Sequence, residues 1–384
     1  MWICVDGRVL QDKVGGGVQK YAKHLMDALF NLDKENNYII FTNSYGASGI
    51  PQFSYHNVFE AAFSYPNKIL NALILSRRLY LDDLIEKEIS RKFGKKIKLD
   101  AFWAPNLNFV NLRPETKFLL SVHDISFLIE PEFFTLKERI WHKLVNPKLL
   151  FNRANALLPV SCSTAADLDR IGAEKNKVSV IYPGIEQKYF QEISEAELKR
   201  VRNKYNLPEK FILTLAAAGK RKNFEGAIKA FQNGNIGKDI KLVIAGFGTG
   251  IARASRERII FLGSVDEDDL AALYKSAQIF IYPSFYEGFG FPPLEAAAVG
   301  TPVIAGNATS MPEVCAGSAM LVNPHDANEL SSAITALANE SARQSYLLNR
   351  GQNRVADFSW AESARLLLKS FENLKKPSLF ETES

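Results

Sequence analysis

The chain alternates short apolar segments with amphipathic runs from one end to the other, and it does so in two series. This rhythm constrains the fold more than any other feature, because strand–helix–strand repeats close most readily into a parallel sheet with helices on both faces. In the first series Trp2–Val5, Tyr38–Thr42, Ala101–Ala104, Phe118–Val122, Ala156–Val160 and Val178–Tyr182 read as strands, with helical patterning at Val18–Phe30, Ile69–Lys92 and Leu136–Arg153. In the second, strands are expected at Phe211–Ala216, Lys241–Ala245, Arg258–Leu262, Gln278–Tyr282, Pro302–Ala305 and Ala319–Val322. Helices are expected there at Glu225–Gln232, Asp268–Lys275, Pro293–Val299, Ala327–Asn339 and Trp360–Leu374. Between the series, Tyr182-Pro183-Gly184 leads into Glu192–Asn206, charged and without an apolar face, which reads as a linker. The expectation is an α/β chain of two doubly wound domains, 1–185 and 207–357, joined by 186–206 and followed by a helix in 360–384. A length of 384 residues suits two domains, each with a real core.

Composition removes several classes. With 47% hydrophobic and 23% charged residues, the chain is neither disordered, collagenous nor a disulfide scaffold. Cys4, Cys162 and Cys315 are far apart and lack paired spacing, as in a reducing compartment. No apolar run reaches the roughly 18 residues that span a bilayer, and Asp6 and Arg8 interrupt a signal-like start, so a soluble, cytoplasmic protein is expected. The net charge of +5 is uneven: residues 1–180 hold 24 Lys+Arg against 19 Asp+Glu, and the rest hold 23 of each. Arg91, Lys92, Lys95, Lys96 and Lys98 form the densest basic cluster, which reads either as a solvated helix end or as peripheral contact with an anionic membrane at its inner face. Nucleic acid is not an expected partner, since aromatics are not interleaved with the charge.

The most informative segment runs from Tyr282 to Pro302, where a strand enters a loop containing Gly288 and Gly290 and Pro293 opens a helix. Such a loop lets backbone N–H groups approach an anionic ligand. Glu287 stands before the glycines and Glu295 eight residues later. The pair alone is weak evidence; its placement on a strand–loop–helix junction is strong.

This segment resembles the donor-binding region of retaining glycosyltransferases of family 4, which have the GT-B fold of two Rossmann-like domains facing across a cleft. Their Glu-x7-Glu motif with an internal Gly-Phe-Gly is matched by Glu287, Gly288-Phe289-Gly290 and Glu295. Further matches are Val180-Ile181-Tyr182-Pro183-Gly184, Lys222-Asn223, Phe261-Leu262-Gly263, Ala271-Ala272-Leu273-Tyr274, Gly300-Thr301-Pro302-Val303-Ile304, Pro312-Glu313-Val314 and Phe358-Ser359-Trp360. The resemblance covers nearly the whole chain and implies that the last helix crosses back to the first domain.

It also implies roles. Lys222 corresponds to the family's phosphate lysine and Arg221 to a second cation, although Lys220-Arg221-Lys222 alone would also suit a solvated turn. Fixed cations aimed at the charge growing on a departing diphosphate stabilise the transition state more than the ground state. Glu295 would accept ribose hydroxyls, and Glu287 with the amides of Gly288, Phe289 and Gly290 would hold the donor sugar. The amide of Leu294 would face the distal phosphate, and the base would be read through backbone at Ser264-Val265. In the first half, Gly15–Gly17 resembles the family's glycine loop, placing Gly16 and Gly17 near the phosphates, though a plain loop before a helix would use the same residues. His123 would lie against the donor sugar, and Asp124 would position its loop. The family pattern is not matched at Ala216-Ala217-Ala218-Gly219, where relatives place glycine straight after the strand.

Two other motifs are set aside. Asp266-Glu267-Asp268 mimics a metal-binding Asp-x-Asp but sits where acids cap a helix, and Gly246–Gly250 has the wrong glycine spacing and strand for a dinucleotide loop. No histidines have zinc spacing, so neither metal nor other cofactor is expected. The implied function is metal-independent transfer of a hexose from a nucleotide sugar to a glycan or lipid-linked hydroxyl. Val122-His123-Asp124-Ile125-Ser126-Phe127 and Pro131-Glu132-Phe133-Phe134 look most like the mannosyl-transferring branch, with GDP-mannose as donor. The alternatives are a UDP- or ADP-sugar donor, a nucleotide-sugar 2-epimerase, and a catalytically degenerate binding subunit.

Overall fold

The computed structural model describes residues 1–11, 16–43, 52–217, 220–247 and 258–374. Two compact units emerge, Met1–Gly184 with Ser359–Ser384, and Ile185–Phe358. In the first unit six strands are β1 (Trp2–Asp6), β2 (Asn37–Asn43), β3 (Val58–Phe63), β4 (Ala101–Ala104), β5 (Lys117–Val122) and β6 (Ala156–Pro159). They pair in parallel in the order β3-β2-β1-β4-β5-β6. In the second unit β7 (Phe211–Ala217), β8 (Lys241–Phe247), β9 (Ile259–Gly263), β10 (Ile279–Tyr282), β11 (Val303–Gly306) and β12 (Met320–Val322) pair in parallel as β12-β11-β10-β7-β8-β9. Both sheets therefore wind outward from their first strand, return to its other side and wind outward again. The reversal falls between β1 and β4 in one and between β7 and β10 in the other, and a crevice opens at the carboxyl ends of such strand pairs.

The central strands are apolar along their length because helices cover both faces: β4, β10 and β11 contain only buried residues. Phe41, Phe102, Phe118 and Leu120 belong to the core of the first unit, and Ile212, Ile244, Ile281 and Ile304 to that of the second.

Three expectations need correction. Val178–Tyr182 is not a strand but touches the sheet through one bridge, Val178 with Leu157. The true sixth strand is the edge strand β3, whose Glu60 is exposed and breaks up an otherwise apolar run. Nor is 186–206 a linker: it belongs to the second unit and contains the helix Glu195–Lys204, capped by Ser194 Oγ accepting from the Glu197 amide at 3.2 Å. That helix buries only Val201 and docks on Asp269 through Arg200 and Lys204, so the apolar periodicity by which a packed helix is recognised is missing.

The helix Trp360–Asn373 packs on Gly17–Leu32 in the first unit, where Trp360 stacks on His24 at 5.5 Å and Ser363 Oγ donates to the Tyr182 carbonyl at 2.5 Å. Residues 375–384 of the expected final segment lie outside the described residues. Among the described residues no helix is long and apolar enough to cross a membrane.

Candidate active site

The switch point of the second unit places the segment after β7 beside the segment after β10. Ala218 and Gly219, the departure from the family pattern, lie outside the described residues. From Lys220 onward the two segments are tied by backbone, the Phe285 amide donating to the Arg221 carbonyl at 2.9 Å. Asn223, at φ +50°, then opens the helix Phe224–Asn233 by accepting from the Gly226 amide at 3.2 Å, while its Nδ2 donates to the Pro324 carbonyl at 2.7 Å. A short, pinned turn of this kind holds Arg221 and Lys222 at fixed positions beside β10.

Both cations meet Glu287. Lys222 Nζ donates to Oε1 at 2.7 Å, and Arg221 reaches Oε2 at 3.4 Å and the Tyr286 carbonyl at 3.2 Å. Tyr282, the last residue of β10, donates its hydroxyl to Glu287 Oε1 at 2.9 Å; Lys222 also contacts that hydroxyl and lies 4.5 Å from the ring centroid. Glu287 is 6% exposed, so it is not a solvated loop acid. Burial pushes its carboxyl up, but the charges of Lys222 and Arg221 outweigh this and bring the pKa down to about 2. Burial, followed by the Glu287 charge, pushes the Tyr282 hydroxyl far up, so it stays protonated and donates.

The loop beyond is held from β11. The Glu287 amide donates to Thr309 Oγ1 at 2.9 Å, and Ser310 Oγ donates to the carbonyls of Glu287 and Phe289 at 3.0 and 2.8 Å. Gly290 sits before the helix Phe291–Ala298 at φ +95°, a backbone conformation that favours glycine, and a Cβ there would also displace the end of the Met311 side chain. Pro292 and Pro293 lack an N–H, leaving Phe291 and Leu294 as the backbone donors between Phe291 and Leu294. Leu294 is fully buried.

Glu295 occupies a different neighbourhood. It is 3% exposed, not a surface helix residue, and accepts from the Tyr274 hydroxyl at 3.1 Å. Thr301 Oγ1 donates to the Tyr274 carbonyl at 2.8 Å, and the Glu295 charge adds to burial in pushing the Tyr189 hydroxyl up. Val265 is buried two residues beyond Gly263, the last residue of β9.

In the first unit Gly17 begins the helix Gly17–Leu32 and Gly16 precedes it in extended backbone, at φ −161°, where a Cβ would meet nothing within 4 Å. Gly15 lies outside the described residues. His123 follows β5; its Nε2 donates to the Pro105 carbonyl at 2.8 Å, and its ring stands edge-on to Tyr21 at 4.6 Å. Burial lowers its pKa, so the ring is neutral near pH 7, with Nδ1 as its acceptor atom. Asp124 Oδ1 accepts from the Ser126 amide and hydroxyl at 2.9 and 2.5 Å, which fixes the turn after His123.

The structure thus gathers Arg221, Lys222 and Glu287, puts Glu295 among tyrosines and places His123 in the other unit. Tyr282, Thr309 and Ser310 were not singled out by sequence; the tyrosine at the head of the motif was the available signal. Asp266 also departs from expectation: it precedes the turn Glu267–Asp269 without making a side-chain cap, and its carboxylate instead accepts from Lys204 at 2.5 Å. Gly248–Gly250 of the rejected dinucleotide motif lies outside the described residues, and among those described no group of three or more His, Cys, Asp or Glu could hold a metal ion.

Residues 195–354 match the family model for glycosyl transferases group 1. The serotype-specific mannosyltransferase WbdA of Escherichia coli is 30% identical over 271 residues, covering 67% of this chain and 33% of that protein. The O-antigen chain mannosyltransferase B of Escherichia coli is 28% identical over 265 residues, covering 66% of this chain and 69% of its own length. The chain thus spans about a third of the first of these relatives. Among solved structures, sucrose-phosphate synthase from Thermosynechococcus elongatus superposes with a TM-score of 0.72 at 21% identity, over 97% of this chain and 99% of that one. WaaG, a glycosyltransferase involved in lipopolysaccharide biosynthesis, gives 0.66 at 13% identity, over 98% and 100%. The fold is GT-B.

Proposed function

We propose that this chain, whose residues 195–354 belong to glycosyl transferases group 1, is a retaining, metal-independent hexosyltransferase of family 4 that uses GDP-mannose. The acceptor is a hydroxyl of a glycan or a lipid-linked sugar, and the basic first unit makes peripheral contact with an anionic membrane. The observation that carries the reading is the convergence of Lys222 and Arg221 on buried Glu287 at a strand-order switch point. Mannosyl specificity is supported by the names of the two Escherichia coli relatives.

In the reaction the acceptor oxygen bonds to the anomeric carbon as the bond from that carbon to the phosphate oxygen breaks. The acceptor proton passes to the departing phosphate on the same face, so no side chain acts as base. Lys222 and Arg221 take up the charge that grows on the diphosphate, with the Leu294 amide at its distal phosphate. Glu287, ionised throughout the working pH range, accepts from sugar hydroxyls while the amides of Gly288, Phe289 and Gly290 donate to sugar oxygens, and His123 Nδ1 accepts from another hydroxyl. Glu295 accepts from the ribose.

A thermal-shift panel of GDP-, UDP- and ADP-sugars tests the donor. GDP-mannose at 100 times its dissociation constant should stabilise the fold by about 2.7 kcal/mol. Stabilisation by another sugar nucleotide alone would move the donor assignment, and none at all would remove the reading. Product analysis with and without acceptor separates transfer from epimerisation.

A further inference from the structure

The helix Leu136–Val145 in the first unit is turned the opposite way from an ordinary surface helix. Leu136, Ile140 and Leu144 lie four residues apart along one line and are 72%, 52% and 49% exposed. The opposite side faces the protein, with Val145 buried and His142 stacked flat on Phe127 at 4.3 Å, while Trp141 lies on the flank between, 37% exposed and edge-on to Phe109 at 6.0 Å. The outward stripe is therefore not a core face left uncovered by a rotated helix. At a helical step of 100° per residue, exposed Lys137 and Lys143 flank the centre of that stripe by about 60° on either side. Arg139 and Lys148 add two more exposed cations on the same helix and the next. The only acid on this helix, Glu138, is tied into a capping box with Thr135.

We infer that this helix seats the protein on an anionic bilayer surface, with Leu136, Ile140 and Leu144 entering the acyl boundary and Lys137 and Lys143 at the headgroups. The charge pattern selects the occupant. An apolar stripe bordered by lysines on both flanks, with no free acid, matches an acidic headgroup layer, and the lysine stems can lie along the apolar surface while their ammonium groups stay in the polar layer. Ten residues give a helix of about 15 Å, too short to span, so it lies in the plane of the interface. The contact expected from sequence is thereby moved. In the cluster after Ile89, Arg91 pairs with Glu88 at 3.0 Å, Lys92 donates to the Glu60 carbonyl at 2.7 Å, and Phe93 packs on Trp2 and Phe59. That cluster presents no comparable apolar stripe. The inference rests on the membrane part of the proposed function but not on its donor.

The test is flotation of the full chain with phosphatidylcholine vesicles, with and without phosphatidylglycerol. The parent should float with the anionic vesicles. Replacing Leu136→Ser, Ile140→Ser and Leu144→Ser together should lower partitioning by at least about ten-fold. Lys137→Gln and Lys143→Gln should each lower it by about five-fold at low salt, whereas Lys95→Gln with Lys96→Gln should not change it. Brominated lipid should quench the fluorescence of a tryptophan placed within the stripe by Ile140→Trp, beyond any quenching in the parent, which checks the seat directly. Equal binding by the triple variant, or absence of quenching, would overturn the inference. So would a parent dimer that the triple variant dissolves without any vesicle binding, since the occupant would then be a second copy. Thermal stabilisation by the sugar nucleotide should persist in every variant, so failure on vesicles leaves the transfer reading untouched.

Discussion

The second unit contains two buried carboxylates with nearly the same surroundings and quite different places in the fold. Asp269 accepts from Arg200 and Lys204 at 2.6 Å each and from the Tyr205 hydroxyl at 2.8 Å. Glu287 accepts from Lys222 at 2.7 Å, from Arg221 at 3.4 Å and from the Tyr282 hydroxyl at 2.9 Å. In both, burial raises the carboxyl and the hydrogen bonds and charges of the cations overcome it, leaving each near 2. Yet Asp269 fastens one helix to another, while Glu287 stands at the ends of β7 and β10. An ionised acid between two cations and a tyrosine is thus no mark of catalysis by itself. What sets Glu287 apart is its position at the strand-order reversal, where the proposed function places the diphosphate.

The sharpest way to break this contrast is to remove one lysine from each cluster. Lys222→Ala should cut transfer by a hundred- to a thousand-fold, about 2.7–4 kcal/mol of transition-state stabilisation, measured as kcat/KM at fixed acceptor. Lys204→Ala should leave kcat/KM unchanged and instead lower the unfolding midpoint. Equal losses of activity in the two variants would erase the distinction.

Acid unfolding probes what the two share. Each carboxyl has a folded pKa depressed below its unfolded value, so its stabilisation is complete above about pH 5 and disappears as pH falls toward 2. Asp269→Asn and Glu287→Gln should each flatten the fall in stability across that window, by an amount on the order of 2–3 kcal/mol. Added nucleoside diphosphate, competing for Lys222 and Arg221, should reduce the Glu287 share only. The smallest effect belongs to the tyrosines. Tyr282→Phe should lower kcat by about five- to ten-fold with little change in KM, whereas Tyr205→Phe should cost about 1 kcal/mol of stability and no activity.

Sequence alone separated these clusters only in part. Eleven of the twelve strands were legible because buried parallel strands are short, apolar and bounded by polar residues. The site segment was legible because Glu287, Gly290 and Glu295 sit close together in the chain. The helix Glu195–Lys204 was not, since it is held by ion pairs to a residue 65 positions away and shows almost no apolar face. The acid that matters there, Asp269, stood just beyond the Asp266–Asp268 run that drew attention. Tyr282 was hidden for a different reason: an aromatic ending a buried strand looks like core until its hydroxyl is placed against a carboxylate.

The backbone bond from the Phe285 amide to the Arg221 carbonyl bears on how such a protein could be rebuilt. It joins the turn that follows β7 to the turn that follows β10, 64 residues apart in the chain, and Lys222 and Glu287 close the same joint with their side chains. A chimera that borrows only one of these turns from a relative would inherit half a joint, with the other half cut to a different length. Donor preference should therefore be transplanted with both turns as a single cassette, and natural variants should be found to have changed them together.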